Sequence, residues 1–147
     1  MMIMKNIFTI VVLALAFAPN VLADDRPVDF NKLPKAAQEF ITAYFPDSKV
    51  VFAAVDDDII RPDYKVVFSD GTKIEFDYSG ALDKVQMRSG YVPSVIVPVQ
   101  IVDYVKTHYP DSHIVEYEVG KSDYEVRLSN RLELKFNSRC HIVEVDN

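Results

Sequence analysis

Leu33-Pro34-Lys35-Ala36-Ala37-Gln38-Glu39-Phe40-Ile41-Thr42-Ala43-Tyr44-Phe45-Pro46-Asp47-Ser48 carries apolar residues at three- and four-residue steps between two prolines. That spacing predicts an amphipathic helix whose buried stripe is Leu33, Ala36, Ala37, Phe40, Ile41 and Tyr44. Pro34 suits a helix start, where a missing N–H is harmless, and Pro46 ends the helix. The stretch then recurs. Val97-Pro98 opens and His108-Tyr109-Pro110-Asp111-Ser112 closes a second helix, offset by 64 residues, with the stripe Ile101, Val102, Tyr104, Val105 and His108. Similarity resumes at an offset of 60, with Asp63-Tyr64-Lys65-Val66 against Asp123-Tyr124-Glu125-Val126. It continues with Ile74-Glu75-Phe76-Asp77 against Leu134-Lys135-Phe136-Asn137. An internal repeat of this length implies one supersecondary unit used twice.

Each copy continues into short strands. Lys49 to Val55, Tyr64 to Ser69, Thr72 to Tyr78 and Leu82 to Met87 follow the first helix. His113 to Val119, Tyr124 to Ser129, Leu132 to Asn137 and Ile142 to Asp146 follow the second. Asp70-Gly71 and Ser79-Gly80 are turn signals, and Asp70-Gly71 reads as a two-residue hairpin loop. Strands joined by tight turns form an antiparallel meander. Ile74, Phe76 and Tyr78 alternate with Lys73, Glu75 and Asp77, and Leu132, Leu134 and Phe136 alternate with Glu133, Lys135 and Asn137. The apolar sets belong under the helices and the charged sets in solvent. The expected fold is therefore α+β, a tandem repeat of α-β4 units with helices packed on one face of an antiparallel sheet, in two layers. Repeats of about 28–88 and 92–146 form a single domain, since each is small for an independent core. The connection Gln86 to Val97 is rich in Val, Ile and Tyr and is expected to pack rather than dangle.

Residues 1–23 read as a secretory signal peptide: Lys5, an uncharged apolar run from Ile7 to Ala18, and the small-residue cleavage pattern Val21-Leu22-Ala23. The expected product is an exported protein, periplasmic or secreted by a bacterium, with no membrane span in the mature chain 24–147. The chain carries 16 basic and 22 acidic residues; losing Lys5 with the leader leaves 15 against 22, a net charge of −7. Such a protein repels phosphate backbones, which excludes nucleic acid as a partner class. Cys140 is the only cysteine, so no disulfide forms within the chain.

These residues resemble the PepSY-like family of secreted bacterial proteins, which is similar to a β-lactamase inhibitor. The resemblance rests on Leu33-Pro34, Phe40-Ile41 and Tyr44-Phe45-Pro46, then on Gly71-Thr72-Lys73-Ile74-Glu75-Phe76-Asp77 with Gly80 and Val85. A weaker second set is Val97-Pro98, Tyr104-Val105, Tyr109-Pro110 and Leu134-Lys135-Phe136. The resemblance implies a tandem α-β4 arrangement in two layers and an inhibitor-like activity, and it brings no catalytic residues. The chain departs from the family pattern at Ala81, where an aromatic often follows the glycine. It departs again at Arg131 and Cys140, which replace both turn glycines in the second copy.

Chemistry-bearing motifs are sparse. His108 and His113 are five apart across Pro110 and align with Tyr44 and Lys49, and His141 aligns with Ala81, so no metal site is expected. Asp56-Asp57-Asp58 lacks the spacing of a calcium loop and reads as a solvated acidic loop. No nucleophile elbow, phosphate loop or dinucleotide glycine pattern is present, so neither a catalytic residue nor a cofactor is expected. Cys140, flanked by Arg139 and His141 at a turn, is a candidate reactive thiol for a disulfide between chains.

The repeat also sorts the sheet faces. Glu116 and Glu118 mark the wet face of one strand, and their first-copy counterparts are Phe52 and Ala54; Arg127 likewise maps to Val67. Phe52 and Val67 therefore fall among Lys65, Lys73, Glu75 and Asp77 on the charged face, where they either take a partner or are covered by Gln86 to Val97 or by the other sheet. The expected function is non-catalytic binding of a protein, peptide or cell-envelope component, inhibitor-like, through Phe52, Lys65, Val67, Lys73, Glu75, Glu116 and Arg127. The alternative is a carrier holding a small apolar ligand between sheet and helices.

Overall fold

A computed structural model describes residues 25–147. The expected signal peptide, 1–23, lies outside the described residues. Strand β1 (Asp25–Pro27) precedes helix α1 (Lys35–Tyr44) and strands β2 (Val50–Asp56), β3 (Tyr64–Phe68), β4 (Lys73–Phe76) and β5 (Leu82–Gln86). Helix α2 (Val99–His108) then leads to β6 (Ile114–Val119), β7 (Asp123–Leu128), β8 (Glu133–Asn137) and β9 (Ile142–Asp146). Short 3-10 turns at Phe30–Lys32 and Ser94–Ile96 precede the two helices. All nine strands form one antiparallel sheet in sequence order, β1 to β9. Among the described residues, two helices and an open antiparallel sheet make an α+β fold. The strand β1 is an addition to the eight expected strands.

The register explains why alternation in sequence becomes a core. Ala53, Val66, Ile74, Val85, Tyr117, Val126, Leu134 and Val145 are consecutive cross-strand partners from β2 to β9. Opposed residues in an antiparallel pair share a face, so these eight make one row. Seven of them are buried, and only Val145, on the last strand, is exposed. Phe68, Phe76, Leu128 and Phe136 are buried as well. Helix residues Ala37, Ile41, Ile101, Val102 and Val105 join the same core cluster. Aromatic contacts tie helix to strand: Phe40 meets Phe76 edge-on at 5.6 Å, and Tyr104 meets Phe136 edge-on at 5.4 Å. Ala36, Tyr44 and His108, expected in the buried stripes, are exposed instead. They lie at the margin of stripes that only about half of each helix circumference needs to fill.

Four hairpin turns share one construction. In the β3–β4 turn the Phe68 N–H donates to the Thr72 carbonyl and the Gly71 N–H to the Phe68 carbonyl, giving a three-residue loop rather than the two-residue loop expected. The same pair of bonds recurs at Asp77 to Ala81, Leu128 to Leu132 and Asn137 to His141. Each turn places its third loop residue at positive φ: Gly71 (90°), Gly80 (87°), Arg131 (75°) and Cys140 (63°). The side chains of Asp70, Asp77, Asn130 and Asn137 accept backbone N–H bonds that hold these loops. Tyr78 is the first loop residue of its turn, which is why it is exposed and not in the core as expected; Arg61 lies over its ring at 5.6 Å. A Cβ on Gly80 would sit 2.9 Å from both the Ala37 amide nitrogen and Pro34 Cβ, so glycine lets this turn close against the start of α1.

The connection after β5 packs as expected. Met87 N–H donates to the Val115 carbonyl, Val92 N–H donates to the Ile114 carbonyl, and Val92 and Val97 are buried in the core.

Candidate functional site

The charged face of the sheet is ordered by the same register. One row reads Phe52, Val67, Lys73, Gln86, Glu116, Arg127, Glu133 and Asp146, each opposite the next. The adjacent row reads Ala54, Lys65, Glu75, Lys84, Glu118, Glu125, Lys135 and Glu144. All seven residues expected to meet a partner therefore share one face, five in the first row and two in the second. Phe52 and Val67 are directly opposed and half-buried, less open than a free surface pair would be. Phe52 borders a shallow depression with Pro27, Val28 and Val50, close to the added strand β1.

Ion pairs lace the second half of the face. The Arg127 guanidinium donates to Glu116 at 3.1 Å and to Glu133 at 2.7 Å. These two carboxylates, led by the Glu133 hydrogen bond, push the arginine further above its ordinary range. Lys84 lies 3.7 Å from Glu118, and Lys135 lies 3.7 Å from Asp123. In the first half Lys65 donates to Asp25 at 3.2 Å, while no ion pair involves Lys73 among the described residues.

An acidic depression adjoins Phe52's half of the face. It is lined by Asp25, Ala54, Asp56, Asp63, Tyr64, Lys65, Glu75 and Asp83. Only Lys65 and Glu75 of these were legible as site residues. Asp83 enters through a bulge: Phe76 pairs with Leu82 and Glu75 with Lys84, so Asp83 has no partner of its own. Burial, followed by the charges of Asp63, Asp77, Glu75 and Glu118, pushes the Asp83 carboxyl up to about 6. Burial also raises Asp63, with Asp56, Asp77, Glu75 and Asp58 adding repulsion. At Asp77 burial acts upward but is outweighed by bonds from the Ser79 hydroxyl and the backbone N–H groups of Ala81, Ser79 and Gly80, so its carboxyl ends below its ordinary value. A second acidic depression, lined by Glu125, Glu133, Leu134, Lys135, Glu144 and Asp146, lies beside β9. Glu125 is raised there, by burial first and then by Glu133 and Glu118.

These shifts have a measurable consequence. The folded Asp83 carboxyl holds its proton more tightly than the unfolded chain, whose ordinary value is 3.8. Ionisation therefore opposes folding: the penalty is full above about pH 6 and fades to nothing as pH falls to about 4. Asp83→Asn is expected to stabilise the protein at pH 7.5 by roughly 1 kcal/mol, after discounting for the solvent that screens a partly exposed group. The gain should disappear near pH 4. Thermal unfolding at the two pH values checks it, and equal melting at pH 7.5 contradicts it.

Asp56-Asp57-Asp58 is a self-satisfied loop: Asp56 accepts the Asp58 N–H, and Asp58 accepts the N–H groups of Ile60 and Arg61. His113 stacks on Tyr91 at 3.9 Å, and His108 lies against Tyr104 at 4.2 Å. Cys140, the candidate reactive thiol, is half-buried against the core. Among the described residues no group of three or more His, Cys, Asp or Glu is arranged to hold a metal ion. No helix among them is long and apolar enough to cross a membrane.

The family model described as "Putative beta-lactamase-inhibitor-like, PepSY-like" matches residues 62–144. Solved structures are similar over the whole described region. A "putative periplasmic protein" of the DUF2874 family from Bacteroides vulgatus ATCC 8482 is 42% identical, with a TM-score of 0.81, over 84% of this chain and 98% of that one. A "putative calcium-regulated periplasmic protein" from Bacteroides thetaiotaomicron is 41% identical, with a TM-score of 0.81, over 84% and 97%. A further Bacteroides vulgatus periplasmic protein "of unknown function" is 30% identical, with a TM-score of 0.79, over 84% and 99%. Among curated proteins none matches. Identity of this order across nearly the full length of such relatives, with the family model spanning more than half of the chain, makes this a bacterial periplasmic protein belonging to the PepSY-like, β-lactamase-inhibitor-like family.

Proposed function

We propose that the protein is an exported, non-catalytic binding module that captures a protein, peptide or envelope component on the open face of its sheet, in an inhibitor-like manner. One observation carries this reading: Phe52, Val67, Lys73, Glu116 and Arg127 fall in a single cross-strand row, with Lys65 and Glu75 in the row beside it. An apolar pair set in a charged rim matches the anatomy of a protein interface. The inhibitor-like description of the family supports binding to another protein. We read the scaffold as one domain, 24–147, built from two copies of a helix and four strands, about 28–88 and 92–146. The helices form a second layer on the apolar face and leave the charged face free. Residues 1–23 are proposed as the export signal.

The carrier reading has less support: the buried apolar residues form one packed cluster, and the depression between α2 and β6, lined by Tyr91, Val92, Val102, Val105 and Ile114, holds only about 110 Å³ and opens to solvent. One relative's description names calcium regulation; among the described residues no group of three or more His, Cys, Asp or Glu is arranged to hold a metal ion, and Lys65 lies 3.2 Å from Asp25 inside the acidic depression.

Carboxylate footprinting tests the proposal. With a partner captured from the native envelope, Glu75, Glu116 and Glu133 should lose carbodiimide reactivity, while Glu39 and Asp103 on the helices keep theirs. Protection confined to Glu39 and Asp103 would place the contact on the helices and refute the reading.

A further inference from the structure

We propose a second interaction surface, the outer edge of β9, which accepts an extended segment bearing basic residues on either side of an apolar or aromatic one. The proposal goes beyond the open-face reading and does not rest on it. Among the described residues β9 pairs only with β8, so its outer side is an unfilled sheet edge.

The chain itself contains the filled version of this edge. Strand β5 leaves β4 as β9 leaves β8. Phe76 pairs with Leu82 and Glu75 with Lys84 across one bulge, and Phe136 pairs with Ile142 and Lys135 with Glu144 across the other. On the outer side of β5 lies β6, which opposes Lys84 with Glu118, Val85 with Tyr117 and Gln86 with Glu116. Under that cover Val85 is fully buried. Val145 holds the same place in the apolar row, opposite Leu134 as Val85 is opposite Ile74. It is 49% exposed, and the bulge residue Val143 is 57% exposed. Among the described residues the apolar row that crosses the sheet thus ends uncovered at β9.

Charge selects the occupant. Where β5 presents Lys84 and Gln86 to an incoming strand, β9 presents Glu144 and Asp146. Glu125 and Glu133 lie behind them in the second acidic depression, with Lys135 as its single base. A second copy fits badly. Two antiparallel β9 strands centred on Glu144 would oppose it to itself, and centred on Val145 they would oppose Glu144 to Asp146; like charges directly opposite destabilise a pair. An incoming strand with Lys or Arg opposite both acids and a Tyr or Val opposite Val145 reproduces the β5–β6 junction with its charges reversed. Main-chain pairing supplies affinity and the alternate side chains supply selectivity.

The test uses two peptides, acetyl-Thr-Lys-Tyr-Lys-Val-Thr-amide and its counterpart with Glu for both Lys. The wild-type protein is expected to bind the lysine peptide at least tenfold more tightly, with NMR amide shifts concentrated at residues 142–146. The double variant Glu144→Lys, Asp146→Lys should reverse the preference, and Phe52→Glu should leave it unchanged, which separates this surface from the open face. Four results would overturn the proposal: no saturable binding of the lysine peptide; equal affinity for both peptides; shifts lying elsewhere than β9; or concentration-dependent dimers whose amide shifts map to β9. Mapping on the wild-type protein needs no variant, so the outcome does not depend on how the double substitution folds.

Discussion

Phe76→Ala is expected to cost about 3–5 kcal/mol of stability, by the usual loss for a buried aromatic cut to a methyl group. The Phe76 side chain is fully buried and packs edge-on against Phe40, so truncation removes an aromatic contact between α1 and β4. A domain of this size has roughly 5–15 kcal/mol in total, so the variant sits near the limit of folding. Melting should fall by roughly 10–20 °C. Phe136→Ala should behave alike, since Phe136 meets Tyr104 from α2 in the same geometry. The shape of the transition is as informative as its midpoint. The apolar row passes without interruption from Val85 on β5 to Tyr117 on β6, so damage at Phe76 should unfold both halves together. Circular dichroism and tryptophan-independent probes such as tyrosine fluorescence should trace one coincident transition. A two-step melt, with the second half surviving, would contradict a single cooperative core.

Much of this architecture was legible because its signals are local. Ile74 and Phe76, two apart with the charge of Glu75 between them, declare a strand with one dry face, and the prolines at 34, 46, 98 and 110 bracket the helices. Comparing one half of the sequence with the other placed Phe52 and Val67 on the charged face, and the register then set them side by side. What escaped depends on partners distant in sequence. Strand β1 is three residues long, polar and ends in proline, so nothing in Asp25-Arg26-Pro27 announces a strand; it exists because β2 offers it an edge. The acidic depression draws carboxylates from Asp25, Asp56, Asp63, Glu75 and Asp83, on or beside five strands, and Asp83 turns into it only because a bulge interrupts the β4–β5 ladder. Simple alternation along one strand does not display a bulge. Tyr78 was misplaced for a related reason. The three-residue loops begin at Tyr78 and end at Cys140, which puts the tyrosine outside the sheet and leaves the cysteine half-buried at positive φ.

Phe52→Glu is expected to abolish capture of the envelope partner while the protein still folds. Phe52 is half-buried on the charged face, opposite Val67 and outside the buried core cluster. A carboxylate there replaces the apolar centre of the proposed contact with a desolvated charge, and truncating or charging such a central residue typically removes several kcal/mol of binding, on the order of a hundredfold or more. The folded sheet loses little, because the new side chain can reach water beside Lys73 and Lys65. The decisive measurement is affinity capture by wild-type and Phe52→Glu protein in parallel, with thermal unfolding of each. The account predicts no capture above background by a variant that melts in one transition within a few degrees of wild type. Undiminished capture, or a variant that does not fold, would contradict it: the first would move the contact off this face, and the second would make Phe52 part of the core.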